Sequence, residues 1–509
     1  MRRIIVSILV LLSYLSVSAQ IDNTMYFMDR LPQSTRINPA QTPNCKFYLG
    51  GLIVPFFGQL PPSIMLSINT PIDYGDVIFH GDGEYADSLI TPLHPTANLN
   101  DFLDKLKKVN YLSTDFQLDL LNFGFRTGKT GFFAFDLSEK MSCDIGLPKS
   151  LFELAAKGNS EVRNADFAGL GLNFLYYHQL AFGYKQQFSK TFSAGLRAKL
   201  LLGVASVKTA SSDISLTTAE KTNYLRVQSQ YEINTNLPLE VAIDEEGYVD
   251  DIEFTDDSFG TIVKNYVSGI GNYGLALDFG FSKDITSSLS CYFSVEDLGA
   301  IKWNKKSSKF GFYDEDSMRF EGVTVSDLNV SNFDEVIDMD SILSNFKEIS
   351  YEEGGYITWL PTKFYLGAKY MVAKRISLGA LAKVELLPHK VRPSLTVSAN
   401  FKPFKFTAAT LSYSYINGNF NNIGIGLTAH PGPIQWYLVS DNLIGALLFP
   451  ANTRSLSVRL GCNLVFGCVD KAKSGSRSGA NHNAEILNKS KKKNKALVPY
   501  NSQYKSSNK

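Results

Sequence analysis

Residues 192–204 read FSAGLRAKLLLGV, and apolar side chains occupy every second position of this stretch. Its alternating apolar members are Phe192, Ala194, Leu196, Ala198, Leu200, Leu202 and Val204. A spacing of two places successive side chains on opposite faces of a β-strand. About ten residues is also the length that a tilted strand needs to cross a bilayer. The stretch therefore predicts a membrane-spanning strand with one face in lipid.

The same alternation recurs in pairs of segments that are joined by short polar turns. The predicted hairpins are 116–126 with 132–141, 176–187 with 192–207, 274–282 with 289–297, 364–370 with 376–386, 395–401 with 406–417, and 423–429 with 435–439. Long connections occupy residues 143–169, 236–270 and 299–360. Short turns on one side and long loops on the other are typical of outer-membrane barrels. We therefore predict an all-β fold, a transmembrane antiparallel β-barrel of about 14 strands (12–16), rather than a large soluble β-protein.

The composition agrees with this fold class. The 509 residues carry a net charge of +1, so the total charge does not indicate a nucleic-acid partner. The 35 Phe and 25 Tyr residues suit the aromatic girdles of a barrel. Beyond the N-terminus, no run approaches the roughly 18 apolar residues of a spanning helix.

Both ends of the chain differ from the predicted barrel, residues 20–468. Residues 1–19 have the features of a secretory signal, with Arg2 and Arg3 before an apolar core and Val17-Ser18-Ala19 at the cleavage site. They predict Sec export to the outer membrane of a Gram-negative cell. Residues 469–509 hold ten Lys or Arg against Asp470 and Glu485, a net charge of +8. We expect a disordered basic tail, or alternatively an arm that contacts a periplasmic protein or the cell wall.

Between the signal and the first strand, residues 20–45 lack periodicity and contain Asn38-Pro39-Ala40. We expect a structured, plug-like coil there. Residues 98–109 change to helical spacing, and a second short helix is predicted at 151–157. Both are interpreted as loop or plug helices.

Each predicted strand has one apolar and one polar face. Lipid-facing candidates include Leu275, Leu277, Phe279, Phe281, Phe364, Leu366, Ala368, Tyr370, Ile376, Leu378, Ala380, Ala382, Val384, Leu456, Val458, Leu460, Leu464 and Phe466. The charged residues on the opposite face are Arg197, Lys199, Asp278, Lys369, Lys383, Glu385 and Arg459. A charge at the middle of the lipid face costs a few kcal/mol, so these residues are expected to face the lumen. They either line a channel or pair across a filled interior, with Glu385 or Asp278 neutralising Arg197 and Lys199.

The residue types that carry most enzyme chemistry are not arranged in recognisable motifs. No cofactor, metal site or catalytic residue is predicted, and His178 is the one histidine considered for a barrel lipase. The five cysteines leave at least one unpaired, and Cys291 and Cys462 are expected to face lipid.

Three motifs together carry a resemblance to known proteins. They are Asn38-Pro39-Ala40, the strand start Trp359-Leu360-Pro361-Thr362-Lys363-Phe364-Tyr365-Leu366-Gly367 and the last strand, 458–466. The combination resembles an uncharacterised family of Bacteroidota outer-membrane β-barrels, a domain of unknown function, over residues 20–468. That family is similar to PorP/SprF-like barrels and more distantly to FadL-type barrels. The FadL likeness implies that Asn38, Pro39 and Ala40 belong to a segment that plugs the lumen.

The predicted function is a channel or transport barrel for a small or hydrophobic solute, surrounded by outer-membrane lipid. The alternative is a structural or assembly barrel that anchors periplasmic or surface partners, as in type IX secretion or gliding. An outer-membrane lipase is the weaker alternative.

Overall fold

The computed structural model describes residues 22–52, 61–92, 94–218, 225–245, 248–254, 271–304, 306–314, 349–387, 390–416 and 419–468. The predicted export signal, residues 1–19, and the predicted basic tail, residues 469–509, lie outside the described residues. The first strands are β1 (Phe47–Gly50), β2 (Ile64–Asn69), β3 (Phe79–His80), β4 (Leu89–Ile90), β5 (Val109–Thr127), β6 (Gly131–Pro148), β7 (Asn164–Asp166), β8 (Gly171–Gln187), β9 (Phe192–Thr218), β10 (Leu225–Asn236), β11 (Leu239–Ile243) and β12 (Val249–Phe254). The remaining strands are β13 (Tyr273–Asp284), β14 (Leu289–Lys302), β15 (Ser308–Asp314), β16 (Ile349–Glu353), β17 (Ile357–Trp359), β18 (Thr362–Ala373), β19 (Ile376–Leu387), β20 (Lys390–Phe404), β21 (Thr407–Ile416), β22 (Asn419–Ala429), β23 (Ile434–Ser440) and β24 (Ser455–Phe466).

The helices are short. The α-helices are α1 (Ser34–Ile37), α2 (Leu99–Lys105), α3 (Lys149–Glu161) and α4 (Leu443–Leu448), and single 3-10 turns occur at Met25–Phe27, Tyr74–Asp76, Gly83–Tyr85 and Pro450–Asn452. Within the described residues, no helix is long and apolar enough to cross a membrane. The predicted helices at 98–109 and 151–157 correspond to α2 and α3. They pack on each other through Phe102 and Phe152, whose ring centroids are 6.1 Å apart.

Fourteen antiparallel strand positions close into one barrel. β1 and β2 share the first position, because both pair with β5 on one side and with the last strand, β24, on the other. Phe47 lies opposite Phe466, and Ile64 lies opposite Leu460. This pairing joins the two ends of the sheet, so the barrel itself has no free edge. The predicted antiparallel barrel of about 14 strands is confirmed.

Burial alternates along the barrel strands as the sequence pattern requires. In β13, Leu275 and Leu277 are 72% and 45% exposed, whereas Ala276 and Asp278 between them are 2% and 0% exposed. Similar exposed apolar rows occur on β18, β19, β20 and β21, with Leu366, Leu378, Leu395 and Leu411 among their members. An apolar surface this extensive is suited to lipid and not to water.

Two expected lipid-facing residues of the last strand are buried instead. Cys462 and Leu464 are 1% and 3% exposed, so they are covered and not exposed to lipid as expected. Their predicted face is the outer one, because both alternate with Asn463, which bonds Gln33 of the N-terminal coil in the lumen. Residues 463–466 of β24 pair with β1 and residues 455–460 pair with β2, so Cys462 lies at the interruption between β1 and β2.

The strands at the end of the barrel with the long connections, here called the loop end, extend well past the barrel. β9 has 27 residues, roughly 90 Å of extended chain, whereas its predicted end was residue 207. Its far part pairs with β7 and β10, and β10 in turn pairs with β15, which pairs with β16. Parts of the predicted long connections are therefore strands. Residues 208–218 are rich in Ser and Thr and have three apolar members, Ala210, Ile214 and Leu216, so the alternation there was too weak to reveal the strand.

The opposite end of the barrel, with the short connections, is here called the turn end. A disulfide joins Cys45, which precedes β1, to Cys468, which follows β24. The register of β1 and β24 brings these positions together although 423 residues separate them in sequence. The sequence pattern gave no indication of this pair.

Candidate functional site

The lumen of the barrel contains the N-terminal segment. Residues 22–45, here called the plug, are almost entirely buried. Their apolar side chains pack against lumen-facing residues of β18, β19 and β23; the packed set is Met25, Tyr26, Phe27, Met28, Leu31, Ile37, Tyr365, Leu381, Tyr437 and Val439. The Asp441 carboxylate accepts hydrogen bonds from the backbone N–H groups of Asn23 and Thr24, at 3.2 and 2.7 Å. An acceptor in this position satisfies donors at the start of the 3-10 turn Met25–Phe27.

The predicted plug motif, Asn38-Pro39-Ala40, lies against two glycines of the barrel wall. The Asn38 Oδ1 atom accepts a hydrogen bond from the Ala40 N–H at 2.9 Å, and its Nδ2 donates to the Tyr26 hydroxyl at 3.1 Å. Gly195 of β9 and Gly280 of β13 face each other in register. A Cβ on Gly280 would lie 2.2 Å from Asn38 Oδ1, and one on Gly195 would lie 2.1 Å from the Pro39 carbonyl oxygen. The two glycines therefore provide the space that this turn occupies.

A row of alternating charges, here called the charge chain, connects the plug to the wall. Its ion pairs are Arg36–Asp119 (2.8 Å), Arg36–Asp136 (2.6 Å), Arg197–Asp136 (2.7 Å), Arg197–Asp278 (3.1 Å), Lys199–Asp278 (2.6 Å), Lys199–Asp297 (2.6 Å) and Lys140–Asp297 (3.6 Å). The Asp119 carboxylate also accepts a hydrogen bond from the side-chain amide of Gln117, at 2.9 Å. Charges this deeply buried are stable only when each has opposite charges or hydrogen bonds around it. Arg36 places the plug within that arrangement.

The structure places all seven predicted lumen residues in buried positions. Arg197, Lys199 and Asp278 belong to the charge chain. Glu385 does not contact Arg197 or Lys199; its carboxylate is 3.4 Å from the Arg392 guanidinium.

The other three predicted lumen residues are cations. Lys369 lies 3.2 Å from Asp29 of the plug, and Arg459 lies 3.5 Å from Asp22, the first described residue of the plug. Lys383 lies over the ring of Tyr365, 5.7 Å from its centroid.

Sequence reasoning identified Asp278 but missed the other acids of the charge chain, Asp119, Asp136 and Asp297. It also missed two of the cations, Arg36 and Lys140. Asp119 lies next to a bulge in β5, between Asp119 and Leu121, where the register with β6 shifts. A bulge changes which residues share a face, so a strict alternation cannot assign Asp119. Arg36 lies in the aperiodic plug and has no strand pattern at all.

Between the plug and the loop end lies a small cavity of about 80 Å³, here called the lumen cavity. Its lining is strongly charged; the cations are Arg36, Lys140, Arg197, Lys363, Lys383, Arg392 and Arg459, and the acids are Asp22, Asp115, Glu296, Asp297 and Glu385. With the plug in this position, the cavity has room for a few water molecules. The number of charges suits a polar occupant better than a hydrocarbon, because an apolar occupant would remove water from these groups.

His178, the residue considered for lipase chemistry, pairs with Glu139 on the neighbouring strand. The His178 Nδ1 atom is 2.7 Å from a Glu139 carboxylate oxygen, and both side chains are buried. Among the described residues, no three His, Cys, Asp or Glu side chains are grouped as a metal site would require.

The family model of DUF5723, a family of unknown function, matches residues 39–441. The chain belongs to the DUF5723 family. No curated protein matches the sequence. Similar solved structures include the Ralstonia pickettii toluene transporter TbuX, at 8% identity over 86% of this chain and 94% of that chain with a TM-score of 0.38. A Pseudomonas aeruginosa FadL homologue is 11% identical over 88% of this chain and 99% of that chain, with a TM-score of 0.40.

A third similar structure has another role. The translocator domain of the autotransporter NalP from Neisseria meningitidis is 6% identical over 83% of this chain and 88% of that chain, with a TM-score of 0.30. The likeness to all three structures lies in the barrel fold and assigns no solute to the DUF5723 chain.

Proposed function

We propose that this DUF5723 protein is an outer-membrane transport barrel that admits a small solute from the loop end into its lumen. The observation that carries the proposal is the lumen cavity, a charge-lined space that is bounded by the barrel wall and the plug. A purely structural barrel has no need for a charged space beside its plug, since its interior can be filled with side chains. The exposed apolar rows supply the lipid contact that places the barrel in a membrane.

The plug sets the resting state of this transport path. It is fixed to the wall through Arg36, through the hydrogen bonds to Asp441 and through the slot at Gly195 and Gly280. A solute in the lumen cavity therefore reaches the turn end only after part of the plug moves. We expect low conductance of the intact barrel, with rare openings.

Planar-bilayer recordings of the full-length protein and of Arg36→Gln test this proposal. The variant removes the cation that links Asp119 and Asp136 to the plug, so it should open more often than the wild-type barrel. Arg375→Gln is the matched control, because Arg375 lies in an exposed turn and bonds the Pro403 carbonyl outside the lumen. Baseline conductance in all three proteins, with correct folding, would contradict a transport function.

The sequence features at the two ends of the chain support a location in the outer membrane. We propose that residues 1–19 direct Sec export and that residues 20–468 form the mature barrel with its plug. Residues 469–509 would then form a basic arm on the periplasmic side. Signal cleavage before Gln20, measured by mass spectrometry of protein from outer membranes, tests this assignment.

A second function, an assembly barrel, is favoured by one observation at the loop end. β7, β10, β15 and β16 extend the sheet beyond the barrel. Among the described strands, β7 and β16 each pair with one neighbour, so most of the other edge of each is suited to a protein partner. Pull-downs with the full chain and with a chain that lacks residues 469–509 test both possible contact regions. If neither protein captures a partner, the assembly function is contradicted.

A further inference from the structure

Most cations that line the lumen cavity have a carboxylate nearby, but two of them are less completely paired than the others. Arg36 and Arg197 each contact two carboxylates, and Lys140, Lys363 and Arg392 each lie within 4.0 Å of at least one. Arg459 of β24 also has one carboxylate within 4.0 Å, but two of its nitrogens make no hydrogen bond among the described residues. Lys383 of β19 has no carboxylate within that distance in the described part of the chain.

Arg459 is 3% exposed, and among the described residues Asp22 is the one acid within 4.0 Å of its guanidinium. Its Nη2 atom lies 3.5 Å from Asp22 Oδ1, and that oxygen makes no hydrogen bond. Within the part of the chain that the structure describes, Arg459 Nε and Nη1 have no hydrogen-bond partner either. A buried guanidinium with unused donors is costly unless something in the cavity accepts their hydrogen bonds.

Lys383 is a second buried cation of the lining. It is 2% exposed, and Glu385, which lines the same cavity, compensates part of its charge. The lining carries seven cations against five acids, and the unused donors of Arg459 are the feature that most favours a negatively charged occupant.

The geometry of a guanidinium narrows the class of occupant. Its planar fork of N–H donors matches two oxygens of a carboxylate or a phosphate. We propose that the lumen cavity binds a small hydrophilic solute through one oxyanion, and that Arg459 receives this oxyanion. This proposal rests on the proposed function, because it treats the cavity as the compartment of the transported solute.

The position of Asp22 adds a consequence for the plug. An oxyanion on Arg459 competes with Asp22, whose contact with Arg459 joins the start of the described plug to the wall. Binding of the solute therefore releases this end of the plug. Removal of the competing carboxylate should strengthen binding.

Isothermal titration calorimetry of the full-length protein in detergent tests the proposal, with sodium succinate and inorganic phosphate as separate probes. Succinamide, the uncharged analogue of succinate, shows whether charge is required. Arg459→Gln should weaken binding at least tenfold, Arg459→Lys should restore part of it, and Asp22→Asn should strengthen it. Arg454→Gln is the matched control, because Arg454 lies five residues before Arg459 and pairs with Asp73 outside the cavity.

The outcomes separate the sources of the oxyanion and the two proposals. Binding of succinate alone indicates a carboxylate ligand, and binding of phosphate alone indicates a phosphate ligand. Absence of binding by both anions, equal binding of succinamide, or wild-type affinity in Arg459→Gln overturns the proposal. If Arg459→Gln does not fold, Asp22→Asn still decides, since an unchanged affinity in that variant contradicts the competition. A barrel that binds an anion but does not conduct would support the anion site and contradict transport. A barrel that conducts but binds neither anion would support transport and contradict the anion site.

Discussion

At the scale of single residues, two glycines decide where the plug can dock. Gly195 and Gly280 face each other across β9 and β13, and side chains on them would overlap Pro39 and Asn38. A strand position that must remain without a side chain indicates close approach of another part of the chain. The Asn-Pro-Ala motif and these glycines thus form one unit, although more than 150 residues separate the motif from Gly195.

Gly280→Val tests this unit. The added side chain should displace Asn38 and loosen the plug, which raises open probability in bilayer recordings and lowers the thermal midpoint of unfolding. Ala198→Val, on the exposed face of β9, is the control and should behave like the wild-type protein. A Gly280→Val barrel with wild-type conductance and stability would show that the motif does not depend on this slot.

Arg36 is the residue through which the charge chain stabilises the plug. Arg36→Gln leaves Asp119 and Asp136 buried without their shared cation, and breaking such a pair costs roughly 3–5 kcal/mol. We expect this loss in the free energy of unfolding, measured by urea titration in detergent with gel mobility as the readout. Arg375→Gln, in an exposed turn, should change it by less than about 0.5 kcal/mol. A similar small change in Arg36→Gln would mean that water or another cation replaces the guanidinium.

Asp166 gives a pH prediction outside the barrel. The Ala168 N–H donates to its carboxylate at 2.8 Å and Lys108 lies 3.0 Å away, and together they hold the pKa of Asp166 below its usual range. A carboxyl group whose folded pKa is lowered stabilises the fold above its unfolded pKa. That contribution is lost as pH falls through the lower, folded pKa. The protection factors of the amides around residues 166–170, which are exchange rates corrected for the intrinsic effect of pH, should therefore fall in acid. Asp166→Asn should remove this fall.

At the scale of strands, the alternation that predicts the barrel also limits what can be predicted from it. It identifies strands where one face meets lipid, as in β13 and β19. It fails in the far part of β9, where most residues are polar, and beside Asp119, where a bulge shifts the register. It also cannot reveal which acid neutralises Arg197, because partners such as Asp136 come from a different strand.

The tolerance of the lipid face for a charge should depend on depth in the membrane. Leu366 of β18 is exposed and lies opposite Ala382, near the middle of both strands. Leu366→Arg should destabilise the folded barrel by about 2–4 kcal/mol in a bilayer, because the charge enters the hydrocarbon. Tyr370→Arg, on the same face of the strand but close to the turn end, should cost about 0–1 kcal/mol. Equal costs for both variants in a lipid-based unfolding titration would contradict the assigned membrane position.

At the scale of the whole molecule, the plug and the last strand are joined at the turn end. The Cys45–Cys468 disulfide links them directly, and the Lys46 N–H also donates to the Phe466 carbonyl at 2.9 Å. The barrel closes through the strand pairs of β24 with β1 and β2, which do not require the disulfide. The disulfide should therefore contribute to stability without determining the fold.

Cys45→Ser separates these two roles. The variant should still form the barrel but lose about 2–4 kcal/mol in the free energy of unfolding, because its unfolded chain is no longer constrained by the cross-link. The same loss should appear in the wild-type protein after treatment with a reductant, measured by the same urea titration. Cys143→Ser, which removes a cysteine outside the disulfide, is the matched control. Because it keeps the Cys45–Cys468 disulfide, it should unfold like the wild-type protein and lose the same stability when the reductant is added. If Cys45→Ser unfolds at the wild-type urea concentration, the contacts of β1 with β24 alone hold the turn end closed, and the disulfide contributes nothing measurable there.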